Sequence, residues 1–111
     1  KLNFDIVAAN DMIELTGWAF IAAMPFNNLN RKGIVLLSEV NKAFIYKPEC
    51  MLRFDVTRAF GKKGNLNLSG FKCSISRDTL PKGRYRLGVM LENPIMLKKY
   101  VNFSDRYVDI Y

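Results

Sequence analysis

Histidine is absent from the 111 residues of this chain, and cysteine occurs only twice. Without histidine the chain cannot build a Ser-His-Asp or Cys-His catalytic arrangement or a histidine-ligated metal site. Cys50 and Cys73 are too few for the disulfide framework of a small secreted scaffold or for a thiolate metal site. We predict two reduced, largely buried thiols, with a disulfide between them as the open alternative. We expect no cofactor, no metal and no catalytic residues in this chain.

Long apolar runs are also lacking. The longest uncharged stretch, residues 15–30, is broken by Gly17, Pro25 and several asparagines, and it falls short of the roughly 18 apolar residues that a membrane helix needs. The sequence therefore predicts no transmembrane segment. Because the chain opens at Lys1 without a methionine or a leader, we expect a single domain over residues 1–111 that belongs to a longer multidomain protein.

Extended helical periodicity is missing as well, whereas apolar and polar residues alternate from end to end. We predict an all-β, antiparallel two-sheet sandwich of the immunoglobulin or fibronectin-III kind, with about eight strands and one short helix. The predicted helix covers residues 51–60, with Asp55 as its cap. Asn41 and Lys42 are expected to form a two-residue hairpin connection, and Pro48 to end the following strand. The strands are predicted over residues 2–7, 13–21, 34–40, 43–47, 66–76, 85–91, 100–104 and 107–110.

The segment from Leu80 to Tyr85 has the sequence Leu-Pro-Lys-Gly-Arg-Tyr, and an alternating apolar run follows it. This pattern is typical of a tyrosine corner, in which a tyrosine at the start of a strand donates its hydroxyl to the backbone a few residues upstream. The sequence therefore predicts that Tyr85 pins the crossover between the two sheets.

Basic residues outnumber acidic ones by 17 to 10, which gives a net charge of +7. Such a balance favours anionic partners, and the alternative is solubility combined with pairing against an acidic neighbouring domain. The candidate cationic contacts are of two kinds. Lys62 and Lys63 lie in a glycine-flanked loop, and Arg84 and Arg86 project from one face of a strand, with Lys72 expected on a neighbouring strand.

Aromatic and apolar side chains supply the other candidate contacts. Trp18 and Tyr46 are candidates for a sugar-stacking platform, although burial in the core is an alternative for Trp18. Met96 lies in an apolar segment, residues 95–97, which we predict to be a loop that either contacts another chain or covers a satellite core.

Several segments together resemble a β-sandwich accessory module of bacterial enzymes that build cell-surface polysaccharide or teichoic acid. These segments are Gly-Trp-Ala-Phe-Ile at residues 17–21, Asn41-Lys42, Arg-Phe-Asp-Val at 53–56, Ser-Gly-Phe at 69–71 and Gly-x-Tyr-x-x-Gly at 83–88. The resemblance implies that chemistry resides in a separate transferase domain. It also implies a cytoplasmic module, membrane-peripheral through the parent protein, that seats the enzyme against its anionic, lipid-linked product or a partner subunit.

Two other functions stay open at this point. An extracellular adhesion or assembly module would use an edge strand and residues 95–97 to meet another chain. Nucleic-acid binding fits the charge, but the basic residues are scattered and form no known single-strand signature. The expected partners are therefore an anionic glycan, a polyol-phosphate polymer or a neighbouring domain.

Overall fold

The computed structural model describes residues 1–9, 11–21, 27–60 and 65–110. Eight strands and one α-helix fill these residues: β1 (Leu2–Ala9), β2 (Met12–Ala19), β3 (Arg31–Ser38), β4 (Ala43–Tyr46), β5 (Glu49–Met51), α1 (Phe54–Phe60), β6 (Gly70–Ser76), β7 (Gly83–Asn93) and β8 (Lys98–Ile110). Short 3₁₀ turns lie at Asn27–Leu29 and Arg77–Thr79. Every strand pairing is antiparallel.

The strands form two four-stranded sheets, a first sheet of order β1-β2-β6-β5 and a second of order β4-β3-β7-β8. Numbered along the chain, this is the immunoglobulin order A-B-E-D in the first sheet and C-F-G in the second, with β4 as an additional C′ strand. The predicted two-sheet antiparallel sandwich with one short helix is confirmed.

Period-two alternation places one face of each sheet in the core between them. In β2 the buried positions are Ile13, Leu15, Gly17 and Ala19, while the intervening residues are partly exposed. The largest side chains in the main core are Tyr85, Phe4 and Phe71, and the last two meet edge to face with ring centroids 5.2 Å apart. A smaller cluster on the outer face of the first sheet contains Phe20, Val56 and Leu66, with Trp18 packed against it.

One strand was missed at the sequence level. Pro48 does end the pairing of β4, as predicted, but the chain then crosses to the first sheet, where β5 pairs with β6. Proline has no N–H to donate, so the ladder of one sheet stops there and the chain is free to change sheets. Because β5 is only three residues long, it carries too little alternation to be recognised.

Four of the local predictions need correction. The β3–β4 connection has four residues, 39–42, and not two, with Asn41 in the left-handed region at φ 62°. Asp55 lies inside the first turn of α1, where its carboxylate pairs with Arg53 at 2.9 Å. The segment 66–76 becomes a strand only from Gly70, and residues 98–110 form one strand whose register with β7 shifts between Arg86 and Gly88.

The tyrosine corner is present. The Tyr85 hydroxyl donates a 2.6 Å hydrogen bond to the carbonyl of Pro81. Burial raises the pKa of the Tyr85 phenol above its ordinary value, so the hydroxyl stays protonated as a donor. Gly83 enters β7 at φ 149°, a conformation that residues with a side chain rarely adopt. The bond thus holds the turn between β6 and β7 at the crossover of the two sheets.

We predict that Tyr85→Phe lowers the free energy of unfolding by about 1–2 kcal/mol, because it removes the hydroxyl donor and leaves the Pro81 carbonyl without it. Urea unfolding with an unchanged m-value is the measurement. Tyr100→Phe is the matched control, since Tyr100 is 45% exposed and should lose less than about 0.5 kcal/mol. Equal stability of the two variants would contradict the assignment of the corner.

Candidate anion-binding site

Three neighbouring cavities run along the side of the sandwich where β4 passes into β5. The first, of about 390 Å³, is lined by Tyr46, Lys47 and Lys72 among others. The second, of about 500 Å³, shares Lys47 with it. The third, of about 320 Å³, shares Arg31 and Glu92 with the second. The shared lining residues make the three cavities one continuous surface feature.

Among the charged residues that line this feature, six are cations and two are carboxylates. We call its basic residues the basic track: Lys72, Lys47, Lys32, Arg31, Lys98 and Lys99. Two carboxylates, Glu49 and Glu92, line the same cavities. Positive charges along adjoining concave surfaces focus the field and attract anions. The track therefore carries the charge expected of a site for an extended anion.

Lys32 is the most enclosed cation of the track. Its ammonium donates a 2.7 Å hydrogen bond to the carbonyl of Leu68 and lies 3.8 Å from the sulfur of Cys50. Desolvation by burial lowers the pKa of Lys32, and the nearby Cys50 thiol opposes this effect only in part. An ammonium that has lost water gains most from a new anionic partner. Lys32 is therefore the position where a bound anion would interact most strongly.

The other cations of the track are held loosely. Lys72 pairs with Glu14 at 2.9 Å and Arg31 with Glu92 at 3.5 Å, all with side chains at least two-fifths exposed. Exposed ion pairs of this kind contribute little to stability, so an anion can compete for the cation. The four ion pairs found among the described residues do not involve Lys47, Lys98 or Lys99.

Two of the predicted contact residues come together in this site, since Tyr46 and Lys72 line the same cavity. The expectation that Lys72 lies on a strand next to Arg84 and Arg86 is wrong. Lys72 belongs to β6 in the first sheet, whereas the neighbours of β7 are β3 and β8. Lys62 and Lys63 lie outside the described residues.

Arg84 and Arg86 do project from one face of β7, as predicted, but they are engaged within the protein. Arg84 approaches Asp109 at 3.4 Å and covers the ring of Tyr107. Arg86 donates a 2.9 Å hydrogen bond to the carbonyl of Ser104 and lies over Phe103. The Arg86 contacts fix the irregular middle of β8, and we assign Arg86 a structural role. The Arg84–Asp109 pair lies near the end of β8 and is exposed, so it holds Arg84 no more firmly than the exposed pairs of the track hold their cations.

Trp18 does not offer a free stacking face. Its ring lies parallel to that of Phe20 with centroids 5.7 Å apart, and Phe60 of α1 lies 5.3 Å away. Trp18 is partly buried and packs against the small cluster under α1, so the expected burial in the main core is not what the structure shows. Met96 is 38% exposed in the turn between β7 and β8, beside the more exposed Ile95 and Leu97. The predicted apolar loop therefore faces outward, and it belongs to neither hydrophobic cluster found among the described residues.

Both cysteines are free thiols, as predicted, but only Cys73 is buried. Cys50 lies on the short edge strand β5, is exposed, and lines the central cavity of the track. The prediction of burial for both thiols is wrong because β5, which was not foreseen, carries Cys50 at the edge of its sheet. Burial raises the pKa of Cys73 and so makes its thiolate scarcer.

Sequence reasoning missed Arg31, Lys32, Lys47, Lys98 and Lys99. They come from β3, the β4–β5 connection and β8, so no contiguous motif marks them. The local signals were two pairs of adjacent cations, Arg31-Lys32 and Lys98-Lys99, the second directly after an exposed apolar segment.

Comparison with known protein families, curated proteins and solved structures finds no match for this chain. Among the described residues, no group of three or more cysteine or acidic side chains is placed to hold a metal ion. The same residues contain no helix with the length and apolar character needed to span a bilayer.

We predict that one thiol per native chain, Cys50, reacts quickly with the dianionic disulfide dithionitrobenzoate, and that Cys73 reacts only after unfolding. Because the track attracts anions, this reaction should slow as salt is added, whereas reaction with neutral dithiodipyridine should not. Absorbance of the released thiol measures both rates. Cys50→Ser should abolish the fast phase, and two fast thiols or a reaction with dithionitrobenzoate that ignores salt would contradict the described site.

Proposed function

We propose that this chain is a non-catalytic binding module of an enzyme that builds bacterial surface polysaccharide or teichoic acid, and that the basic track holds the anionic polymer. The observation that carries the proposal is the succession of three adjoining cavities lined by lysine and arginine. A polymer with a negative charge in each repeat can place one anionic group at each cavity.

The binding mode follows from the chemistry of the side chains. Lysine presents a compact, mobile point charge, so it tolerates the varied geometry of a flexible polyol phosphate. Each contact is weak, but several contacts on one chain add through effective concentration. Lys32 anchors the polymer because its ammonium is already partly desolvated. The affinity is therefore moderate and falls steeply with salt.

The track supplies attraction and positioning. Its side chains are ammonium and guanidinium groups, with Cys50 and the carboxylates Glu49 and Glu92 in the same cavities, and the chain has no histidine to transfer protons near neutral pH. Catalysis is accordingly the task of a separate transferase domain, as the resemblance to accessory modules implies. The module lies on the cytoplasmic side with its parent enzyme, and an acidic neighbouring domain is the partner that would compete for the track.

A second candidate function is protein–protein assembly outside the cell. It is favoured by apolar side chains on the outer face of the second sheet, where Ile45, Val101 and Tyr107 are each about half exposed. An adhesion module would cover this face with another chain. Concentration-dependent sedimentation of the wild-type chain separates this function from polymer binding.

We predict that the isolated chain binds a synthetic glycerol-phosphate polymer, and that the double variant Lys32→Ala/Lys47→Ala binds it about tenfold more weakly, equivalent to about 1.4 kcal/mol. Isothermal titration at several salt concentrations is the measurement. Loss of two cationic contacts should also reduce the slope of log affinity against log salt.

The matched control is Lys42→Ala/Lys82→Ala, which removes the same charge from exposed positions outside the track. Its affinity should change less than about threefold, as expected for distant screened charges. An equal loss in both double variants would mean that only net charge matters and that the track is not the site. Absence of any salt-sensitive binding would eliminate the polymer-binding function.

A further inference from the structure

The turn between β7 and β8 exposes three apolar side chains in succession. Ile95 is 56% exposed, Met96 38% and Leu97 87%. We call residues 95–97 the apolar tip. Scattered single apolar residues are ordinary on a protein surface, but a run of three at the end of a hairpin exposes apolar area in one place. Removal of this apolar area from water would lower the free energy.

A buried asparagine forms hydrogen bonds with the backbone of the apolar tip. Asn93 is fully buried, and its side-chain oxygen accepts hydrogen bonds from the backbone N–H groups of Ile95 and Met96 at 3.1 and 3.0 Å. Its side-chain nitrogen donates to the Asn30 side chain at 2.7 Å. The tip is thus presented in a fixed conformation, which lowers the entropy that docking would cost.

Leu97 has a backbone conformation that does not suit leucine. Its φ is 53°, in the left-handed region that glycine and asparagine adopt more readily. The side chain is also the most exposed apolar one of the tip. Within the described fold, Leu97 is neither buried nor in a backbone conformation that favours leucine. Burial of its side chain on docking would explain why an apolar residue stands at this position.

Cations lie beside the Leu97 end of the apolar tip. Leu97 lines the third cavity together with Arg31, Lys98 and Lys99, and the single carboxylate in that cavity is Glu92, 3.5 Å from Arg31. The tip therefore adjoins a cavity with three cations and one carboxylate. Apolar side chains beside lysine and arginine are the arrangement by which peripheral proteins meet anionic membranes.

We propose that the apolar tip docks on an anionic phospholipid bilayer. Ile95 and Leu97 enter the boundary between headgroups and acyl chains, while Lys98, Lys99 and Arg31 contact the lipid phosphates. A bilayer fits this surface better than a protein partner does, because a short turn needs no matching shape in a fluid layer. This function goes beyond polymer binding and uses different residues, apart from the cations at the shared end of the track.

The test uses vesicles of phosphatidylglycerol mixed with phosphatidylcholine, and vesicles of phosphatidylcholine alone, in a cosedimentation assay at several lipid concentrations. Wild-type chain should bind the anionic vesicles reversibly and the neutral ones at least about tenfold more weakly, since each cation near an anionic surface contributes roughly fivefold. Equal binding to both vesicles, or binding to neither, would overturn the proposal.

Leu97→Asn isolates the apolar contribution, because asparagine tolerates the left-handed backbone and leaves the charge unchanged. It should weaken binding to anionic vesicles about tenfold or more without lowering the melting temperature. Val40→Asn is the matched control: Val40 is 83% exposed in the β3–β4 turn, and its replacement should leave binding unchanged. Equal binding by Leu97→Asn and wild type would overturn tip insertion.

Lys98→Ala/Lys99→Ala should also lose binding to anionic vesicles, roughly tenfold or more, whereas Lys42→Ala/Lys82→Ala should lose less than about threefold. Leu97→Asn should keep its affinity for the glycerol-phosphate polymer, and Lys32→Ala/Lys47→Ala should keep most of its affinity for vesicles. These crossed measurements separate failure of membrane docking from failure of polymer binding. Self-association of the chain that Leu97→Asn abolishes, in the absence of vesicle binding, would assign the tip to a protein contact and overturn the proposal.

Discussion

A chain of three buried side-chain amides is the interaction on which both candidate surfaces depend. Asn27, Asn30 and Asn93 are each at least nine-tenths buried, and they are joined by hydrogen bonds of 2.8 and 2.7 Å. Asn27 also exchanges two hydrogen bonds with the backbone of Ile21. Buried amides are costly unless they are paired, and a paired network fixes one geometry against the alternatives. Arg31 directly follows Asn30, and the backbone of the apolar tip is hydrogen-bonded to Asn93. The same network therefore places the end of the basic track beside the tip.

This placement links the two proposals physically. Arg31 and Glu92 line both the central cavity of the track and the cavity beneath the tip. A chain docked by its tip on an anionic bilayer would hold the track close to the lipid surface, where a lipid-linked polymer emerges. The cations at the shared end would then contact lipid phosphate, and Lys32 and Lys47 would contact the polymer. Taken together, the two proposals describe a module that guides an anionic polymer between a membrane surface and a catalytic domain.

Much of the fold could be predicted from local sequence, and most of the site could not. Alternation in β2, β6 and β7 defines the inward faces, and the spacing from Pro81 to Tyr85 predicts a hydrogen bond that the structure contains. Prediction failed for features that depend on which sheet a strand joins. β5 was missed, and Lys72 was wrongly expected on a strand next to β7. The track collects cations from residues 31 to 99, so only the pairing of strands brings them together. The network of Asn27, Asn30 and Asn93 could not be predicted, because a buried amide network has no signature in sequence.

The most direct measurement is amide hydrogen exchange at Ile95 and Met96, followed by NMR. If the buried Asn93 side chain holds the tip, both amides should exchange at least about tenfold more slowly than their intrinsic rates, although their side chains are exposed. Exchange at the intrinsic rates would show that Asn93 does not hold the tip. It would also contradict the claim that one asparagine network positions both the apolar tip and the end of the basic track.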